Sequence, residues 1–393
     1  MWKALSRDPK IADKIHQIAR ELSTIDYQPL KPGLMNGTLG ICLFYFYYQK
    51  CFGTEQYAGK ANEIFDITIE KIHSEWCSST HCSGLSGIFW AIDLMSKEGF
   101  LELDYDKEDI LNCVLKEMDF YDASNNFDFL HGSDGIWFFL QESGLFQSKA
   151  VEAHLGVLAA NSVSNKRGIT WYTSLEGNPS PVANLSLAHG VSSRIILLAR
   201  QLETDCDNQQ LKKLLTESLS FLLSSQNEAK KFTSIFPGYL GSDFSGNNSR
   251  LGWCYGDLGN ALALYRSSVA LKSEELLVKF NEVATYNARR RDLEANKVFD
   301  AGLCHGATGI AHIFNRFYQS TEELKYRDAA KYWFDIAIQQ ASFKDGLAGY
   351  KAYSSSEYKN VENVIEGVAG IGLILISAIS NIEPKWDRAF LIS

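Results

Sequence analysis

The chain has 393 residues, 46% of them hydrophobic and 22% charged, which describes a globular protein with a sizeable core and excludes a disordered one. Its formal net charge of -9 argues against nucleic acid as a partner, because such surfaces need clustered Lys and Arg to displace counterions. Eight cysteines without a CxxC pair, behind an N-terminus with no apolar signal segment, read as reduced thiols of a cytoplasmic protein.

From the N-terminus, residues 8–23 form an amphipathic stretch that opens with Asp8 before Pro9, a capping carboxylate and a first-turn proline. It leads to Gly37-Thr-Leu-Gly40 and the apolar run ICLFYFYY. A second amphipathic stretch, 56–74, precedes Gly84-Leu-Ser-Gly87 and IFWAIDLM. The third, 106–121, carries Ile110, Leu111, Val114, Leu115 and Met118 at helical spacing and leads to Gly132-Ser-Asp-Gly135 and IWFFL. The fourth, 149–163, is followed by a long connection, 164–188, and then by Gly190-Val-Ser-Ser193 and RIILLA. The fifth, 207–226, is followed by another, 228–252, before Gly256-Asp-Leu-Gly259 and NALALY. The sixth, 273–290, precedes Gly306-Ala-Thr-Gly309 and IAHIF. The last, 321–340, begins with Ser320 and Glu323 spaced as a capping box and precedes Gly367-Val-Ala-Gly370 and IGLILISAI.

One theme therefore returns seven times, with first glycines 47, 48, 58, 66, 50 and 61 residues apart. Runs that are apolar on nearly every face are expected of helices surrounded by protein, and the amphipathic stretches of helices that cover them. Glycines at the inner-helix starts are expected where backbones crowd at one end. The absence of a polar first or last unit favours closure over an open solenoid. The expected fold is all-α, a single domain over 1–393 built as an α/α toroid of seven helical hairpins, outer helix then inner. The most apolar stretch, around Val368 to Ile382, is short and contains Ser377, Ser380 and Asn381, so it reads as a buried helix and no transmembrane segment is expected.

Registering the repeats on their first glycine makes distant residues equivalent. Just before it stand Met35 and Asn36, Cys82 and Ser83, Leu130 and His131, Ala188 and His189, Cys254 and Tyr255, Cys304 and His305, then Ile365 and Glu366. Units five and six are ring neighbours, which sets Cys254 beside Cys304 with His305 next in the chain. Two thiolates and an imidazole suit zinc, and three protein ligands leave a fourth position open, as in catalytic sites. Cys82 shares the register but falls nearly across the ring and is set aside. The remaining cysteines read as small core residues. His189 lies in the unit beside the metal pair; Asp128, four residues before its own glycine, could orient the imidazole, and Arg250 would bring fixed positive charge to the mouth. His131 and Glu366 read as rim lining without a chemical role.

The segments RLGWCYG at 250–256, GLCHGATG at 302–309, SLAHG at 186–190 and FDFLHG at 127–132 resemble the signatures of the lanthionine synthetase C-like family. The resemblance covers the whole chain. It implies Cys254, Cys304 and His305 as zinc ligands, His189 as the catalytic histidine, and Asp128, Arg250 and Tyr255 as its companions. It further implies cyclisation of a dehydrated precursor peptide, a cysteine thiol adding to dehydroalanine or dehydrobutyrine. No room for an extra peptide-binding subdomain is evident, nor any fused dehydratase, so a separate dehydratase partner is expected, with peripheral membrane association only through a complex. Three other readings compete: a relative that adds glutathione to dehydrated residues, a protein prenyl transferase, and a non-catalytic, zinc-containing peptide-binding toroid. An Asp, Cys and His ligand set would mark the second, and a fourth protein ligand the third.

Overall fold

The computed structural model describes residues 2–102, 107–146, 148–174, 180–241, 243 and 245–393. Residue 106 of the third amphipathic stretch, and 175–179, 242 and 244 of the two long connections, lie outside them.

Among the described residues fourteen α-helices follow one another: α1 Pro9–Ser23, α2 Thr38–Phe52, α3 Ala58–Ser74, α4 Leu85–Lys97, α5 Lys107–Ala123, α6 Ser133–Glu142, α7 Lys149–Ala160, α8 Val191–Thr204, α9 Gln209–Leu223, α10 Asp257–Ala270, α11 Glu274–Asn287, α12 Ala307–Thr321, α13 Leu324–Gln339 and α14 Val368–Ile379. The even-numbered ones are the apolar runs. In α14 every residue from Val368 to Ala378 is buried. Full burial of each Leu or Ile is worth roughly 1.5–3 kcal/mol, so such a helix is held by packing and not by its own propensity. No helix among the described residues is long and apolar enough to cross a membrane.

Asp8 caps α1 as expected, its side chain accepting from Lys10 N. The capping box expected from Ser320 and Glu323 does not form. Ser320 lies inside α12, which ends at Glu322 with φ of 59°, and Glu323 precedes α13 without a side-chain cap. In four repeats pairing also differs in sense, whereas α6 packs chiefly on α5, the outer helix before it. Helices α2 and α3, α8 and α9, α10 and α11, and α12 and α13 pack together, each inner helix against the outer one that follows it. The connections explain this: only residues 271–273 join α10 to α11 and 322–323 join α12 to α13, and such short links force neighbours to pack.

The chain divides into two compact units, Met1–Asp106 with Lys297–Ser393, and Lys107–Asn296. In the first, the inner helices pack in the order α12, α14, α2, α4, so the last inner helix of the chain lies beside the first. Helix α1 covers α14, and Trp2 Nε1 donates to Ser377 O at 2.8 Å while Leu5 N donates to Ala378 O at 2.8 Å. A 3-10 turn, Lys385–Phe390, packs on α4 and carries the buried Asp387, which accepts from His312 Nε2 at 2.8 Å and Arg316 Nε at 2.6 Å. Burial alone would raise the Asp387 pKa, but the charges of Arg316 and His312 outweigh it and hold it at about 2.

In the second unit the inner helices α6, α8 and α10 pack in sequence order, α5 and α7 lie on α6, α9 on α8 and α11 on α10. The long connections contribute short strands. β1 (Val163–Asn165) and β2 (Gly168–Thr170) form a hairpin; β3 (Tyr172–Thr173), β4 (Val182–Asn184) and β5 (Tyr239–Leu240) form an antiparallel sheet in that order. A further hairpin, β6 (Ala352–Ser354) with β7 (Glu357–Lys359), belongs to the first unit.

Every inner helix has the first glycine of its motif as N-cap residue. The crowding that requires glycine is local. A Cβ on Gly84 would lie 2.1 Å from Ser78 O, and one on Gly309 1.8 Å from Leu303 O, in each case the carbonyl six residues back. At these positions the loop folds tightly over its own helix start, whereas Gly259 is crowded by Leu187 Cβ at 2.7 Å from the preceding repeat. Ser193, in place of a second glycine, is accommodated with its hydroxyl donating to Gly190 O at 2.9 Å.

Candidate catalytic site and metal centre

In the second unit, the turn before α6 places Asp128. Its Oδ1 accepts the main-chain N–H groups of Leu130 and His131, both at 2.8 Å, so the carboxylate caps the turn that leads to Gly132. Its Oδ2 accepts from His189 Nδ1 at 2.7 Å. The SLAHG turn that carries His189 is fixed from two sides. His189 N donates to Ser186 Oγ at 3.0 Å, and Leu187 N donates to Cys254 O at 3.0 Å. Asn184, at the end of β4, donates through Nδ2 to the Tyr255 hydroxyl at 3.2 Å and accepts Ser186 N at 3.0 Å. The Tyr255 ring lies 6.1 Å from the His189 ring, and that of His131 stacks on it at 6.0 Å.

The electrostatics match an ion pair. Burial favours neutral His189, but the hydrogen bond and charge of Asp128, with the charge of Cys254, outweigh it and raise the imidazole pKa. Burial would likewise raise Asp128, but the hydrogen bond and charge of His189, helped by His131, lower it. His131 itself is lowered, chiefly by burial. Burial also raises the Tyr255 hydroxyl, which therefore stays protonated. A cavity of about 20 Å³, lined among others by Asp128, Asn184, His189 and Arg194, has room for one water molecule beside the pair. Arg250 is half-buried, and no hydrogen bond or ion pair of its side chain is found among the described residues.

In the first unit, Cys304 N donates to Ile365 O at 2.8 Å, tying the CHG turn to the loop before α14. His305 Nε2 lies 3.3 Å from Tyr353 O on β6 and 3.4 Å from Asp300 Oδ2. Elsewhere on this set of turns Asn36 donates to Ser83 Oγ at 3.1 Å, and Glu366 N donates to Asn363 Oδ1 at 3.0 Å.

Cys254 of the second unit, with Cys304 and His305 of the first, are the group among the described residues that could hold a metal ion. Cys82 is not part of it. Two thiolates and an imidazole are the donors that borderline and soft metals take, so the residues fit such an ion without rearranged chemistry. Of the sequence candidates, Asp128, His189 and Tyr255 are thus gathered in one place, whereas Arg250 is placed only by its position four residues before Cys254.

Sequence reasoning missed several buried carboxylates. Asp134 accepts from Arg194 Nε at 3.0 Å and lies 3.4 Å from His154 Nε2, whose Nδ1 bonds Asp122 at 2.9 Å. Asp257 accepts Phe236 N at 2.8 Å and faces Arg290 at 3.1 Å. Both sit one or two residues after a motif glycine, where GSDG and GDLG show an acid in an otherwise apolar segment. That mismatch was the available signal.

Among solved structures, that of nisin cyclase is similar with a TM-score of 0.73 at 18% sequence identity, covering 98% of this chain and 97% of that one. The likeness shows the fold, a mostly helical α/α toroid. The sequence pattern described as lanthionine synthetase C-like protein matches residues 28–391. With nearly its whole length matched, the chain belongs to the lanthionine synthetase C-like family.

Proposed function

We propose that this chain is a zinc-dependent lanthipeptide cyclase, one toroidal domain over 1–393, which closes thioether rings in a dehydrated precursor peptide. The observation that carries this reading is the Cys254, Cys304 and His305 group in a chain of this family that also pairs His189 with Asp128. When bound by these three residues, zinc would hold the substrate cysteine as thiolate near pH 7, where a free thiol of pKa about 8.5 is mostly protonated.

The sulfur of the substrate cysteine bonds to the β-carbon of dehydroalanine or dehydrobutyrine, and the α-carbon takes up a proton. The thiol's own proton is released, so the ring has the mass of its precursor. Asp128 fixes the His189 proton on Nδ1 and favours the charged ring, which leaves Nε2–H to protonate the α-carbon. Arg250 and the Tyr255 hydroxyl stabilise the negative charge that develops on the adjoining carbonyl oxygen. The dehydrated residues must be made by elimination of water from Ser or Thr, the work of a separate dehydratase in the same cytoplasmic compartment.

The test supplies purified protein with a dehydrated peptide containing one cysteine, together with glutathione. The expected product has unchanged mass and no longer reacts with a thiol alkylating reagent. A product heavier by one glutathione would instead assign the chain to thiol addition, and unchanged, alkylatable peptide would leave only peptide binding.

A further inference from the structure

A histidine that binds metal must offer a lone pair on one ring nitrogen, and the partner of the other nitrogen decides which one. Beside His305 that partner is double. Nε2 lies 3.3 Å from the main-chain carbonyl of Tyr353 and 3.4 Å from Asp300 Oδ2. Both are acceptors, so an unprotonated Nε2 would set its lone pair against two oxygens. A proton there relieves the repulsion, and the neutral ring then carries its lone pair on Nδ1.

Asp300 is built to hold this position. Its side chain is 1% exposed, and each oxygen is fastened to main chain: Oδ1 accepts Gly302 N at 3.0 Å and Oδ2 accepts Tyr353 N at 2.8 Å. Its own carbonyl accepts Ala307 N at 3.0 Å, just past the CHG turn. The fit is close enough that a Cβ on Gly306 would lie 2.4 Å from Asp300 Oδ1. One residue therefore ties strand β6, the CHG turn and the Nε2 edge of the imidazole into a single unit.

We infer that Asp300 is a positioning residue of the metal centre: with the Tyr353 carbonyl it keeps the His305 proton on Nε2 and presents Nδ1 as the metal-binding atom. This rests on the reading of Cys254, Cys304 and His305 as metal ligands and goes beyond it, to the atom used and the residue that selects it. Asp300→Asn keeps an oxygen for Gly302 N but sets a donor amide against Nε2–H and Tyr353 N. Loss of such an outer partner lowers metal affinity by about 10–100-fold.

The experiment uses the full chain with ¹⁵N-labelled histidine, the His305 signals being assigned by comparison with His305→Gln. In the metal-free wild type the expected state is the Nε2–H tautomer, and on loading with cadmium-113 a coupling to Nδ1. In parallel, competition with a chromophoric chelator should show zinc bound about 10–100-fold more weakly by Asp300→Asn, with an unchanged helical spectrum. An Nδ1–H tautomer, a coupling to Nε2, or wild-type zinc affinity in a folded Asp300→Asn overturns the inference. If that variant does not fold, the wild-type spectra alone decide. A wild type that takes up no metal defeats the zinc reading instead, while its metal-free tautomer still tests Asp300.

Discussion

Replacing Asp128 by Asn separates the orientation of His189 from the fold around it. The asparagine oxygen can still accept Leu130 N and His131 N, the two 2.8 Å bonds that shape the turn before α6. What is lost is the charged acceptor 2.7 Å from His189 Nδ1. A hydrogen bond to a charged group contributes about 1.5–3 kcal/mol. The pair is partly open to solvent, with side chains 30% and 22% exposed, so the lower half of that range applies. At 1.36 kcal/mol per decade, about 1.5–2 kcal/mol is a fall in kcat of roughly 10–30-fold. KM should change little, because Asp128 acts through His189. The assay follows loss of alkylatable thiol in a dehydrated peptide under single-turnover conditions, with zinc content measured on the same sample. A variant within about threefold of wild type would refute the orienting role, and one that has lost its metal would show that the pair supports the metal centre instead.

Two further outcomes concern stability. Burial disfavours charged His154, but its hydrogen bonds to Asp122 and Asp134 outweigh this, and the folded pKa is raised above the unfolded value. Arg194 also faces Asp134. The folded state then binds the extra proton, so this stabilisation is complete below the unfolded pKa of about 6.5 and is lost as pH rises through the folded value. Melting temperatures between pH 6 and 9 should show the advantage of wild type over His154→Gln shrinking as pH rises; a constant gap contradicts it. Gly370→Ala would place a Cβ 1.8 Å from Val364 O, a backbone atom that cannot swing aside. Overpacking of this kind costs about 1–3 kcal/mol, readable as a lower midpoint in chemical denaturation, and an unchanged midpoint would contradict the close approach.

The helices were legible because their patterns are extreme. ICLFYFYY and IGLILISAI leave no polar face, and the glycine that precedes each such run is its N-cap residue. The repeat register singled out Cys254, Cys304 and His305, because equivalent positions in equivalent loops lead to equivalent helix starts, and the same three could hold a metal ion. What escaped depends on contacts that no repeat encodes. Asp300 stands six residues before its glycine, where Asn126 and Asn184 stand in their own units, but only the fold of the 352–359 hairpin brings Tyr353 to it. Asp134 and Asp257 lie inside the register, but Arg194 stands where the other repeats have Ile or Asn, and Arg290 follows α11 outside the motif. The glycines were recognised with part of the cause: most clear a carbonyl of their own loop, while Gly259 meets Leu187 Cβ at 2.7 Å and Gly40 also meets Val364 Cγ2 at 2.5 Å from other repeats. Ser320 and Glu323 matched a capping pattern that α12 overrides by running on to Thr321.

Metal content tests the central claim most directly. Wild-type protein and Cys304→Ala, purified side by side without chelator, should contain one zinc per chain and almost none, respectively, with matching helical spectra. A wild type that carries no zinc and binds none on titration would contradict the metal centre, and with it the proposed cyclisation.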